Sequence, residues 1–206
     1  MSSFPETSIS DSARHRRALL IAVPLGIALD WGLGQAVIAM KLPFFLGSVG
    51  TIAITLLCGW RFGAVVGVIS SLLSVLFNAT IPYFVCTDVV IALVVGISAS
   101  HAGFRTVPRV ILTGIILGFI CALVSAPAVS FAFPGPVLQG QSEFAAHLRD
   151  TVAYLHHAFA SRHFWEEPAD KILQCLLAFA LIRVLPKLHR HWISSPSGYL
   201  DKNGLG

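Results

Sequence analysis

The stretch LPFFLGSVGTIAITLLCGWRFGAVVGVISSLLSVLFN, residues 42–78, is apolar except for small hydroxyl side chains, Arg61 and a closing Asn78. Crossing the hydrocarbon of a bilayer takes about 20 mainly apolar residues as a helix. The stretch therefore predicts two spanning helices, one over 44–60 and one reaching 78, hinged at Arg61-Phe62. Four further runs of the same kind flank it, at 17–40, 82–101, 108–133 and 168–188. The fold class read from these is all-α, a polytopic membrane protein built as a six-transmembrane-helix bundle.

Composition agrees with that reading and excludes others. Of 206 residues, 55% are hydrophobic and only 12% charged, far from the balance of soluble domains. Six spans and their loops use nearly the whole length, leaving no room for a soluble catalytic, nucleotide-binding or DNA-binding domain. The expected organisation is a cytoplasmic tail over 1–16, a membrane domain over 17–189 and a cytoplasmic tail over 190–206. Within the membrane domain, 134–167 forms an extracellular loop. The basic start Arg14-His15-Arg16-Arg17 resembles that of a signal peptide. The apolar run behind it reaches Met40 without a small-residue cleavage site, which predicts a retained helix.

The net charge of +4 needs no nucleic-acid partner, because the basic residues cluster beside the spans. When loops alternate between two sides, one side collects Arg14, Arg16, Arg17, Arg61, Arg105, Arg109, Arg183, Lys187, Arg190 and Lys202. The other side has Lys41, Arg149, Arg162 and Lys171. The positive-inside rule then places both termini in the cytoplasm. Cys58, Cys86, Cys121 and Cys175 stand singly in apolar runs without CxxC spacing, as buried structural thiols do.

The polar residues inside the spans gather at one depth. At 1.5 Å per residue, Asp30 lies roughly 15 Å below the outer end of its span, and Asp88 and Gln174 roughly 9 Å below theirs. Ser70, Ser74 and Asn78 recur every four residues and share one helix face. Ser48, Thr51 and Thr55 form a comparable stripe. The cytoplasmic halves are almost purely aliphatic and glycine, whereas a through-pore needs polar lining along its full length. A carboxylate inside hydrocarbon is expensive unless it is paired or meets water. Asp88, Asn78, Gln174 and Asp30 are therefore the candidate ligand-binding residues, with Tyr83, Phe84 and Trp165 as stacking surfaces near the mouth. Asp30 has an alternative role as a cap within the bundle. Single Ser and Thr residues more often bond their own helix, and Trp165 has an alternative as an interfacial anchor.

In the outer loop, Phe144, Leu148, Val152, Leu155 and Phe159 recur at helical spacing, predicting an amphipathic helix on the bundle or in the interface. Glu166 and Glu167 precede Pro168, where acids suit a helix N-terminus. His147, His156, His157 and His163 lack the i, i+4 spacing of a helical metal pair, so no metal and no cofactor is expected. Ala18, Ala22 and Gly26 form a small-residue face on the first span. Gly59, Gly63 and Gly67 form another, and Gly114 and Gly118 a third. Such faces admit close helix approach, within the bundle or from a partner.

Taken with the opening of the last span, EEPADKILQCLLAFALIRVLP from residue 166, the 42–78 block resembles the S components of energy-coupling factor vitamin transporters. The resemblance covers about 17–188. It implies a non-enzymatic substrate-capture subunit in a prokaryotic cytoplasmic membrane, binding a small water-soluble vitamin or precursor from outside. It also implies partners: a transmembrane coupling subunit docking at Ala18, Ala22 and Gly26, and two cytoplasmic ATPase subunits. Nickel and cobalt members carry an early His, which Met1-Ser2-Ser3 lacks. The rival classes are a membrane sensor domain whose output a partner carries, and an intramembrane enzyme built on Asp30 and Asp88. For the latter, GxSxG and HExxH motifs are missing.

Overall fold

The computed structural model describes residues 7–41, 44–76, 84–132, 142–160 and 166–184. Among them the chain is all-helical: α1 (Thr7–Ala39), α2 (Val49–Cys58), α3 (Trp60–Ser74), α4 (Val85–Ser100), α5 (Val107–Ala132), α6 (Glu143–Ala160) and α7 (Glu166–Val184). The bounds of α4 and α5 lie within three residues of those read from the apolar runs. Two helices are long and apolar enough to cross a membrane, over Leu19–Ala39 of α1 and Val107–Phe131 of α5. Less than half of either stretch is buried inside the molecule.

Two expectations change. The segment 7–16 is helical rather than a tail; once the apolar part of α1 has nucleated, extending it needs only one residue's ordering per added hydrogen bond. The run 44–60 is helical only from Val49. At ten residues α2 is about 15 Å long, half the roughly 30 Å of bilayer hydrocarbon. Residues 44–48 instead run as irregular backbone, because side chains of α1 and α7 take up the main-chain groups that a helix would have paired. Gly59, with φ at 95°, allows the sharp turn between α2 and α3 that a side chain would resist.

The core forms where α2, α4, α5 and α7 meet, around Ile52, Leu56, Ile91, Val95, Val110, Leu117 and Ala178. Cys121 and Cys175 belong to it as expected. Cys86 is exposed, because it falls on the outward side of α4.

Glycines set the helix crossings. A Cβ on Gly50 would overlap the Gly26 carbonyl oxygen and reach within 3.0 Å of Asp30 Oδ1. On Gly67 it would lie 2.7 Å from the Asp88 Cβ, and on Gly114 2.6 Å from the Ile172 Cα. The small faces thus serve contacts within the chain. Two of the positions expected to dock a partner fall among these internal contacts. Ala22 is buried with Ile54 and Val66, and Gly26 faces those same two side chains. The Ala18 side chain lies outside the described residues.

Replacing Gly50 with Ala should lower stability by about 1–3 kcal/mol, the range for forcing a methyl group into packed space. Gly32→Ala is the control, since a Cβ there meets nothing within 4 Å, and it should be neutral or slightly stabilising. Thermal unfolding of both variants in the same detergent checks the pair; equal melting points would refute the crossing assignment.

Candidate functional site

The irregular segment 44–48 is fixed from two directions. From α1, Asp30 reaches the start of α2. Its Oδ1 accepts from the Gly50 amide at 2.5 Å, and its Oδ2 accepts from the Thr51 amide at 3.0 Å and the Thr51 hydroxyl at 2.6 Å. The first amides of a helix have no partner of their own, and a negative group suits that end. Ser48, at the N-cap position, makes no side-chain cap bond; Asp30 caps α2 from another helix.

From α7, Asp170 Oδ1 accepts the Phe45 amide at 2.9 Å, and the Gln174 amide group donates to the Phe45 carbonyl. Asp170 Oδ2 accepts from Lys171 Nζ at 3.1 Å and from Gln174 Nε2 at 2.7 Å. Both main-chain polar groups of Phe45 are thereby satisfied, where an unpaired backbone group would be costly.

Because α2 starts so far below the end of α1, a cavity of about 310 Å³ opens above it. Its walls come from one end of the bundle. Asp30, Trp31, Gln35 and Ile38 line it from α1, Phe45 and Ser48 from the irregular segment, and Ser70, Ser71 and Ser74 from α3. Phe84 lies just before α4, which adds Thr87, Asp88 and Ile91; α5 contributes Cys121 and Ser125, and α7 contributes Glu167, Asp170 and Lys171. The volume is at the small end of ligand pockets, roughly 300–1,000 Å³.

Within the cavity wall the polar groups differ in what they have left to give. Asp88 accepts a hydrogen bond from Ser71 Oγ, its one donor among the described residues. Ser70 Oγ and Thr87 Oγ1 are buried and have no hydrogen-bond partner among the described residues. A buried hydroxyl in that state destabilises by about 1–3 kcal/mol, so these two groups are where a ligand would contribute most. Beside the wall, Tyr154 of α6 is partly buried; burial first, and the Glu167 carboxylate second, raise its phenol above the ordinary value. No α6 residue lines the cavity.

The sequence-predicted residues separate accordingly. Asp88, Asp30, Ser70, Ser74 and Phe84 are brought together. Asp30 lies on the wall, but both its oxygens serve α2, so its capping alternative is the one realised. Gln174 is 0% exposed and sits behind the wall, its amide nitrogen committed to Phe45 and Asp170; it positions the irregular segment rather than meeting the cavity. Lys171 has its ion pair with Asp170. Asn78, Tyr83 and Trp165 lie outside the described residues. Sequence reasoning missed Glu167, Asp170 and Lys171 as wall residues. Their spacing with Gln174, at i, i+3, i+4 and i+7, is one helix face, and it was the available signal. Among the described residues no group of three or more His, Cys, Asp or Glu is placed to hold a metal ion.

No family model, curated protein or solved structure matches this chain.

Asp30→Ala should lower stability by roughly 2–4 kcal/mol, because it leaves two buried amides and the Thr51 hydroxyl unpaired together. The check is a melting curve of the purified variant; one that matched wild type would remove Asp30 from its role as the cap of α2.

Proposed function

We propose that this chain is the substrate-capture subunit of an energy-coupling factor type importer. It binds one small water-soluble vitamin or precursor from the outer side and catalyses no reaction. The observation that carries the reading is the cavity itself: a small chamber at one end of the bundle, lined by carboxyl and hydroxyl groups set in apolar surface, with two buried hydroxyls awaiting partners. A capture subunit needs such a chamber and needs no passage through the molecule. Under this reading the bundle crosses the membrane six times, with both termini in the cytoplasm. The cavity then opens outward, since the positive-inside rule puts Arg61 and Arg105 on the opposite side.

Large apolar side chains exposed on α1 and α5, among them Leu20, Leu25, Leu112, Ile116 and Leu123, support placement in lipid. So does α6, whose Phe144, Leu148 and Val152 form an exposed stripe. Its other side packs on α5 through His147 on Phe131, with ring centroids 4.2 Å apart, and Thr151 on Ser130. That arrangement suits an interfacial helix, apolar side to the acyl boundary. The half-length α2 fits as well: non-helical backbone at membrane depth is tolerated only where protein or a cavity surrounds it. Energy for uptake comes, on this reading, from a transmembrane coupling subunit and two cytoplasmic ATPases.

Protein purified in detergent or nanodiscs should bind one small polar organic molecule per chain without ATP. Reconstituted alone, it should mediate no net flux. Mass spectrometry of molecules released from the purified chain, beside a liposome flux assay, tests both; partner-free flux through the chain would overturn the proposal.

Asp88→Asn should weaken that binding about tenfold to a hundredfold, the effect of losing one charge-assisted hydrogen bond. Its melting point should stay near that of wild type, because the Asn carbonyl still accepts from Ser71. Unchanged affinity with lowered stability would make Asp88 a structural residue.

A further inference from the structure

The cavity wall carries four carboxyl groups, on Asp30, Asp88, Glu167 and Asp170, against the single ammonium of Lys171. The ammonium is already held by Asp170, and the Asp30 oxygens by the start of α2. Asp88 differs: one serine hydroxyl is its only donor among the described residues. Ser70, 5% exposed, and Thr87, 8% exposed, contribute unpartnered hydroxyls to the same wall. An ionised carboxylate accepts and never donates, while a hydroxyl can accept as well. The group that satisfies all three is a multiple N–H donor, and the surplus of carboxyl groups over ammonium favours one bearing positive charge. Apolar surface from Trp31, Phe45, Phe84 and Ile91 offers the remainder of such a molecule a place to lie, and aromatic faces attract cations further.

We propose that the cavity selects a cationic nitrogen compound, an amine or amidine on a small aromatic or apolar frame, with its positive end received by Asp88, Ser70 and Thr87. This rests on the reading of the cavity as a capture site and narrows it to one class of ligand. An anionic vitamin or precursor would face carboxyl groups on α1, α4 and α7 with no free cation among the described residues of the wall.

Benzamidine, benzamide and benzoate are nearly isosteric and carry positive, zero and negative charge, so they separate charge from shape. Binding of each to the full chain in nanodiscs, followed by ligand-observed NMR titration, should give benzamidine a millimolar dissociation constant. It should bind at least about tenfold more tightly than the other two. Asp88→Asn should bring the three to parity. Ser70→Ala should weaken benzamidine a few-fold without lowering the melting temperature, because it removes a buried hydroxyl that no protein group satisfies. If benzamide or benzoate bound as tightly to wild type, the ligand class would be wrong while the capture site stood. Cation selectivity that persisted in a folded Asp88→Asn variant would overturn the assignment to Asp88. Binding by none of the three up to about 10 mM, a generous ceiling for fragments of this size, would overturn both this inference and the capture reading beneath it.

Discussion

The hydrogen bonds from the start of α2 to Asp30 are the contact on which the site depends. A helix that begins in the middle of a bundle exposes free amides where no solvent can reach them. Asp30 answers that need with two oxygens and three donors, from a neighbouring helix and at a point where Gly26 and Gly50 allow the two backbones to touch. Were α2 to continue upward by another ten residues, its side chains would fill the space that is now the cavity. The cap, the short helix and the chamber are three aspects of one arrangement.

Shortening α2 creates a second demand, which α7 meets. Residues 44–48 must connect the end of α1 to a helix start far below it, and their peptide groups have no helical partners. Asp170 and Gln174 hold both sides of the Phe45 peptide, and Lys171 neutralises Asp170 at 3.1 Å. Removing one member of such a buried set exposes the others, so its residues act together rather than additively. Asp88 makes no hydrogen bond to this set among the described residues, and the Lys171 ammonium acts on it only through space. Under the proposed reading, that separation leaves one carboxyl for a ligand while three others hold the wall in place or flank it.

How much of this was legible in the residues follows from what hydropathy measures. Apolar length located α4, α5 and most of α1, and the placement of Asp30, Asp88 and Gln174 in one half of the bundle pointed to a chamber at one end. The same measure failed at 44–60, because Phe44, Phe45 and Leu46 are as apolar in an irregular segment as in a helix. Only partners for the Phe45 peptide, distant by more than a hundred residues, distinguish the two cases. Glu167 was read only as a helix-start acid for a related reason. Acids in the first turn are favourable for any helix, so the generic explanation concealed a face aimed at the cavity. Ala22 and Gly26 were ambiguous in principle, since small residues serve internal and external helix contacts alike, and the internal one is realised.

Placed in a bilayer, as proposed, this distribution inverts the economy of a soluble domain. Lipid tails are as apolar as leucine, so burying Leu20 or Leu123 between helices would gain nothing over leaving it outside. Cohesion must come instead from close backbone contact and from polar groups that hydrocarbon would leave unpaired. Glycines at the α1–α2, α3–α4 and α5–α7 crossings supply the first, and Asp30, Asp170 and Gln174 the second. A protein held together in this way already concentrates its polar side chains inside. Converting such an interior into a binding site requires only that a few of them be left incompletely satisfied. Ser70, Thr87 and Asp88 meet that condition, at the one end of the bundle where α2 does not reach.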